Sequence, residues 1–244
     1  MPSSKPSRNP NLNPNRVRIR KGSNTLINLE RQSGVIPTEL IRNISVAIVG
    51  AGAIGSHTAE VLCKMGVQKL RIYDFDTVEE HNLANQGYYL HEIGYKKVEA
   101  LRERLAAGTG AEIIAECRKF EKGEEFKEEY VISAVDSMAS RSDIWTSFIR
   151  SDKPRYFLDG RMGAREGSAY FVDKTKESTI TRYNHSLFPD SEAVRLPCTE
   201  KSTIFCAYSI SSIIGALITN NITGNEIDYS VDLDLTSLHT CKVL

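Results

Sequence analysis

Val46-Ala-Ile-Val-Gly-Ala-Gly-Ala-Ile-Gly55 is an apolar run that breaks into closely spaced glycines and then resumes as a helix-forming segment. Residues 45–49 are uninterrupted and rich in β-branched side chains, as a strand buried on both faces requires. Residues 54–65 read as the helix that follows. At such a strand-turn-helix junction the free backbone N–H groups and the helix dipole are placed to receive a nucleotide's phosphates. A glycine turn that only packs a helix on a sheet has the same local appearance, so the continuation matters. Nineteen residues after Gly55 comes Asp74-Phe-Asp-Thr-Val-Glu-Glu-His-Asn-Leu-Ala-Asn-Gln86. Asp74 ends a second strand, residues 70–73, within reach of a ribose hydroxyl. Asp76, Asn82 and Gln86 then follow where a plain dehydrogenase has no fixed requirement. The turn and Asp74 taken alone still permit an NAD-dependent dehydrogenase.

Outward from this segment, strands and helices alternate. Residues 94–107 place Val98, Leu101 and Leu105 on one helical face, and residues 112–116 and 130–135 read as the third and fourth strands. Beyond residue 155 the pattern changes: residues 156–158, 168–172 and 179–183 read as strands separated by turns, an antiparallel extension of the sheet. The fold class expected is α/β, a doubly wound, Rossmann-like sheet with a parallel N-terminal half, an antiparallel C-terminal extension and a crossover loop. Residues 184–202, irregular and proline-containing, would be that loop, and residues 228–235 an acidic, strand-like end.

A chain of 244 residues, 41% of them hydrophobic, can bury one large core. The expected organisation is a disordered basic arm over residues 1–25 and one domain over residues 26–244. The formal net charge is zero, but Lys5, Arg8, Arg16, Arg18, Arg20 and Lys21 face no acid within the arm. The remainder therefore carries 25 basic against 31 acidic residues. A mildly acidic body with a basic Asn/Pro/Ser-rich tail disfavours nucleic acid as the partner. Five cysteines without a C-x-x-C pair fit a reduced, cytoplasmic setting and argue against a cysteine-built zinc site. No apolar leader is visible at the N-terminus. The uncharged stretch 202–225 is long enough to span a membrane, but its Ser, Thr, Tyr and Asn content reads as a buried helix, so no membrane partner is expected.

From about residue 30 to residue 224 the chain resembles the ThiF/MoeB/HesA family, prokaryotic relatives of ubiquitin-activating enzymes. The motifs stand in order: Gly50-Ala-Gly-Ala-Ile-Gly55; Asp74-Phe-Asp76 with Asn82-Leu83 and Gln86; Ile93-Gly-Tyr-Lys-Lys97-Val-Glu-Ala100; Ala134-Val-Asp136-Ser followed by Arg141; Asp159-Gly-Arg-Met-Gly-Ala-Arg-Glu-Gly167; and Pro197-Cys198-Thr199. The resemblance implies an adenylyltransferase that uses ATP and Mg²⁺ to activate the C-terminal carboxylate of a ubiquitin-like or sulfur-carrier protein ending in glycine. It implies a homodimer, and a downstream conjugating or sulfur-transfer protein. The nucleotide would be held by Gly50, Gly52, Ala53, Gly55, Asp74, Asp76, Asn82, Asn85, Gln86 and Lys97, and Mg²⁺ by Asp136. Arg31 resembles the arginine that reaches the triphosphate of the partner subunit. The cysteine pairs that bind zinc in bacterial members are missing, and no zinc is expected.

Each of these residues also has a physical reading of its own. A hard carboxylate at Asp136, on the same sheet edge as Asp74, suits Mg²⁺ bridging triphosphate oxygens; it could equally cap the helix beginning near Met138. Lys97 at a helix start opposes the dipole, a conflict that a phosphate would relieve. Arg195 and Lys201 flank Cys198 just before the uncharged helix, and cations with a helix N-terminus favour thiolate. Cys198 is therefore the expected acyl acceptor, whereas Cys63, Cys117 and Cys206 read as core. Asn85 stands where the family usually has an arginine, with Arg31, Arg141 and Arg161 as candidates to compensate. Adenylation of a peptide or small acid without a covalent intermediate, or a catalytically silent subunit, stay open beside the main reading.

Overall fold

The computed structural model describes residues 26–192 and 202–243. The basic arm and the segment carrying Cys198 lie outside the described residues. In chain order the elements are α1 (Thr38–Asn43), β1 (Ser45–Val49), α2 (Ala53–Met65), β2 (Lys69–Tyr73), α3 (Lys97–Thr109), β3 (Glu112–Glu116), β4 (Tyr130–Ser133), α4 (Met138–Arg150), β5 (Tyr156–Met162), β6 (Glu166–Asp173), α5 (Glu177–His185), α6 (Ile204–Thr223), β7 (Ser230–Asp234) and β8 (His239–Val243).

The strands form one eight-stranded sheet in the order β3-β2-β1-β4-β5-β6-β7-β8. Strands β3 to β5 of that order run parallel, and β6, β7 and β8 are antiparallel. Why β1 is apolar at every turn of the pleat follows from this layering. Val46 and Ile48 face one core cluster, with Leu70, Ile132 and Leu158. Ala47 and Val49 face the other, with Val131, Phe157 and Phe148. Both faces are covered, so the two-residue period of a strand gives no polar side. The order reverses direction between β1 and β4, and the crevice beyond the carboxyl ends of these strands is where open α/β sheets hold ligands.

Helix α6 is long and apolar enough to cross a membrane, yet half of its apolar window is buried within the fold. It lies on α2, where a Cβ at Gly215 would come within 2.9 Å of Met65 Sδ and 3.0 Å of Val61. The close approach lets Thr58 Oγ1 donate to Ser211 Oγ at 3.1 Å, and Ser211 Oγ donate to the Ile54 carbonyl at 3.0 Å. Its hydroxyls are thus internal partners, the reason for polar residues in an otherwise apolar helix.

Several local expectations change. Residues 179–183 lie within α5 and not in a strand: Ile180, Tyr183 and Leu187 are spaced three and four apart and pack together against the second cluster. A five-residue window is too short to separate that period from alternation. Helix α3 begins at Lys97, three residues late, because Gly94 takes a left-handed conformation with φ +89°. Strand β4 ends at Ser133, while β5 and β6 extend to meet in a hairpin, and β8 was not anticipated.

Candidate active site

Gly50 leaves β1 with φ +97°, and a Cβ there would lie 2.5 Å from the Ala134 carbonyl oxygen, so only glycine lets this turn pass so close to the end of β4. A Cβ on Gly55 would sit 1.8 Å from the Gly50 carbonyl, which is how α2 packs down on the turn. Helix α2 begins at Ala53, with Gly52 at the N-cap position and no side-chain cap. Its first N–H groups therefore point into the crevice without a side-chain acceptor, the arrangement that receives phosphate.

Asp74 holds the turn as well as facing the crevice. Its Oδ2 accepts from Ala51 N at 2.7 Å and its Oδ1 accepts from Asp76 N at 2.8 Å. The Tyr88 hydroxyl donates to the Ala51 carbonyl at 2.7 Å from the other side, and burial pushes that phenol well above the usual tyrosine range. Of the two adjacent lysines, Lys96 is exposed and Lys97 is buried, with a side chain only 6% accessible. Lys97 Nζ lies 3.0 Å from Asp76 Oδ2. A buried cation at a helix N-terminus is thus compensated by one half-exposed carboxylate, which a phosphate could join or replace.

Asn82 is buried and its Oδ1 accepts from Glu79 N at 2.9 Å. Gln86 Oε1 is buried with no hydrogen-bond partner among the described residues. The Asn85 amide donates to Ser202 Oγ, so the residue standing in the arginine position ties the crevice to the chain entering α6.

Asp136 is exposed just beyond β4 and makes no ion pair among the described residues. It does not cap α4: Ser137 does, its Oγ accepting from Ser140 N at 3.1 Å. No group of three or more His, Cys, Asp or Glu side chains that could hold a metal occurs among the described residues. A lone, unpaired carboxylate nevertheless suits Mg²⁺, which takes one or two protein carboxylates and completes its shell with phosphate oxygens and water.

Beyond Asp136, the β5 end carries a buried charge cluster. Asp159 falls at the pleat position facing α4 and α5 and is fully buried. Its Oδ1 accepts from Arg141 Nε at 2.7 Å, and its Oδ2 from Arg161 Nε at 2.6 Å and the Tyr183 hydroxyl at 2.9 Å. Arg141 also donates to the Val135 carbonyl at 2.6 Å, holding the strand end that presents Asp136.

The glycine turn, Asp74, Asp76, Asn82, Lys97, Asp136, Arg141 and Arg161 line one cavity of about 1320 Å³ along the carboxyl edge of β3, β2, β1, β4 and β5. Every residue expected at the nucleotide and metal sites lines it except Gly55, which packs the helix behind it. Arg31 does not line it; that side chain is exposed before α1. Cys198 lies outside the described residues. Sequence reasoning passed over Arg118, Lys119 and Phe120, which follow β3 and line the cavity's far end. The rule that located Asp74 and Asp136, ligands beyond the strand ends, applies equally to β3 and would have found them.

Comparison with known proteins agrees with this architecture. A family model described as the ThiF family matches residues 25–236. Ubiquitin-like modifier-activating enzyme 5 of Xenopus laevis is 41% identical over 80 residues, 33% of this chain and 20% of that protein. Its Arabidopsis thaliana counterpart is 41% identical over 81 residues, 33% of this chain and 19% of that protein. The chain's match thus spans about a fifth of these relatives' length. Among solved structures, PaaA superposes with a TM-score of 0.68 at 18% identity, covering 88% of this chain and 68% of that one. Escherichia coli MccB with ATP gives 0.65 at 12% identity, covering 84% and 65%. At these identities the solved structures speak for the fold.

Proposed function

The chain belongs to the ThiF family, and from that premise we propose that it is an adenylyltransferase that activates the C-terminal carboxylate of a ubiquitin-like or sulfur-carrier protein with ATP. The observation that carries this reading is the buried Lys97 and the unpaired Asp136 in one cavity with the uncapped glycine turn. A dehydrogenase has no use for that pair.

The glycine turn and the α2 N–H groups would hold the phosphates, and Asp74 would orient the ribose. Asp136 would hold Mg²⁺, which when bound neutralises triphosphate charge. A carboxylate oxygen of the partner attacks the α-phosphorus; the bond to the bridging oxygen breaks, and pyrophosphate leaves with its electron pair. Lys97 offsets charge on the phosphates as it departs, and an electrostatic contribution of this kind is fully available only in a preorganised, partly dry site. Cys198 thiolate then attacks the acyl carbon and AMP leaves, giving a thioester for a conjugating or sulfur-transfer protein. A reducing cytoplasm would keep that thiol free. Because Arg31 does not line its own chain's cavity, we assign it to the cavity of a second copy in a homodimer.

With a carrier ending in glycine, Cys198→Ala should keep ATP–pyrophosphate exchange and lose the reductant-sensitive adduct. Cys206→Ala should retain both, since the Cys206 thiol is buried, donates to the Glu166 carbonyl at 3.4 Å and has its pKa raised by burial. In the same assay, mixing Arg31→Ala with Asp136→Ala protein should restore up to about a quarter of the sites if the arginine acts across a symmetric dimer. Exchange without any adduct in the unmodified protein would favour adenylation alone. An adduct lost only in Cys206→Ala would move the nucleophile.

A further inference from the structure

We propose that Ser56 and Arg104 are positioning residues for the nucleotide: together they seat Gly87 and so hold Asn85 and Gln86 against the glycine turn and Lys97. This deepens the adenylating reading above and rests on it for the identity of the nucleotide.

Neither Ser56 nor Arg104 lines the cavity, whereas Asn85 and Gln86 both do. Ser56 is fully buried in the first turn of α2. Its Oγ donates to the Gly52 carbonyl at 2.6 Å and accepts from Gly87 N at 2.8 Å. A hydroxyl has one proton, so the bond to Gly52 turns the lone pairs toward Gly87. The glycine admits this contact, since a Cβ at position 87 would lie 3.3 Å from Ser56 Oγ and from His57 Nδ1. The next residue, Tyr88, donates to the Ala51 carbonyl, so two successive residues grip the turn.

The Gly87 carbonyl is held from the other side. Arg104 Nη2 donates to it, while Nε donates to Glu92 Oε1 at 3.2 Å and Nη1 lies 3.6 Å from Glu60 Oε2. The guanidinium carbon is 5.0 Å from the Tyr89 ring centre. A planar guanidinium fixed by two carboxylates and a ring is preorganised to grip the backbone oxygen. Arg104 follows Lys97 by two turns of α3, so both stand on one face of that helix. The phosphate turn with α2, the buried lysine with α3, and the segment carrying Asn85 and Gln86 thus meet at one backbone residue.

Hydrogen exchange of peptides spanning residues 82–88, read by mass spectrometry, and titration calorimetry with ATP and Mg²⁺ test the seat in Ser56→Ala, Arg104→Met and the double variant. Thr58→Val is the comparison, because it removes a fully buried hydroxyl of the same helix that faces α6. Ser56→Ala leaves the Gly87 N–H without its acceptor, so exchange should quicken and ATP should bind about five- to tenfold more weakly. Arg104→Met should act in the same direction, and the double variant should weaken binding by less than the product of the singles, since both act through Gly87. Thr58→Val should lower the melting temperature and move neither readout. Unchanged exchange in Ser56→Ala overturns the seat. ATP binding weakened as much by Thr58→Val, or two single effects that multiply in full, overturns the positioning role. If the unmodified chain binds no ATP, the adenylating reading fails, and the exchange series still decides whether the seat exists.

Discussion

Asp136→Ala and Lys97→Met should each lower partner-dependent ATP–pyrophosphate exchange by about 10²- to 10³-fold, the usual loss when one preorganised charge is removed from a developing or departing anion. The fold should survive both changes. Asp136 is exposed, has no ionic partner among the described residues, and leaves the capping of α4 to Ser137. Lys97→Met keeps the length and apolar stem of a side chain that is 6% accessible, and strands only Asp76, whose carboxylate is 48% accessible and can be hydrated. A melting transition within a few degrees of the parent, together with lost exchange, is the expected pair of results. Exchange that persists in both variants would remove the two residues from phosphate chemistry.

Asp159→Ala should be the most destabilising single change in the site region, by about 3–5 kcal/mol, because it leaves buried cations without their counter-charge. Arg141 is 5% accessible and Arg161 15%, and both place Nε on this one carboxylate. The Tyr183 hydroxyl loses its acceptor too, within a phenol whose burial already pushes its pKa well above the ordinary range. Removing a buried hydrogen-bond acceptor and a charge together compounds the penalty. Asp159→Asn should cost less, since an amide oxygen can still accept. Denaturant titration should show a lower midpoint with little change in slope. A loss below about 1 kcal/mol for Asp159→Ala would mean that water reaches the cluster and the pair of arginines is not held by this carboxylate.

The parts of the fold that could be read from sequence are those whose signal is local. Strand β1, the glycine turn and α2 announce themselves within about twenty residues, through β-branched continuity followed by glycines at positions where a side chain would strike Ala134 or Gly50. Asp74 and Asp136 follow from strand ends by one topological rule, and Lys97 from a cation standing against the dipole at a helix start. Other features depend on contacts that no spacing encodes. Asp190 meets α4 across 52 positions and Asn85 meets Ser202 across 117. Asp136 looked equally suited to cap α4, and only the Ser137–Ser140 contact shows which residue does so. In α5, Ile180 and Tyr183 carried a helical period that the short window hid among strand-forming Thr, Ile and Tyr.

Binding of nucleotide to the unaltered 244-residue chain, by titration calorimetry with ATP and Mg²⁺ beside NAD, tests the central claim most directly because it needs no carrier protein. The reading of Asp74, Lys97 and Asp136 as one adenylating site predicts saturable binding of ATP that weakens when Mg²⁺ is chelated, with no heat from NAD. Tight binding of NAD with none of ATP would contradict it.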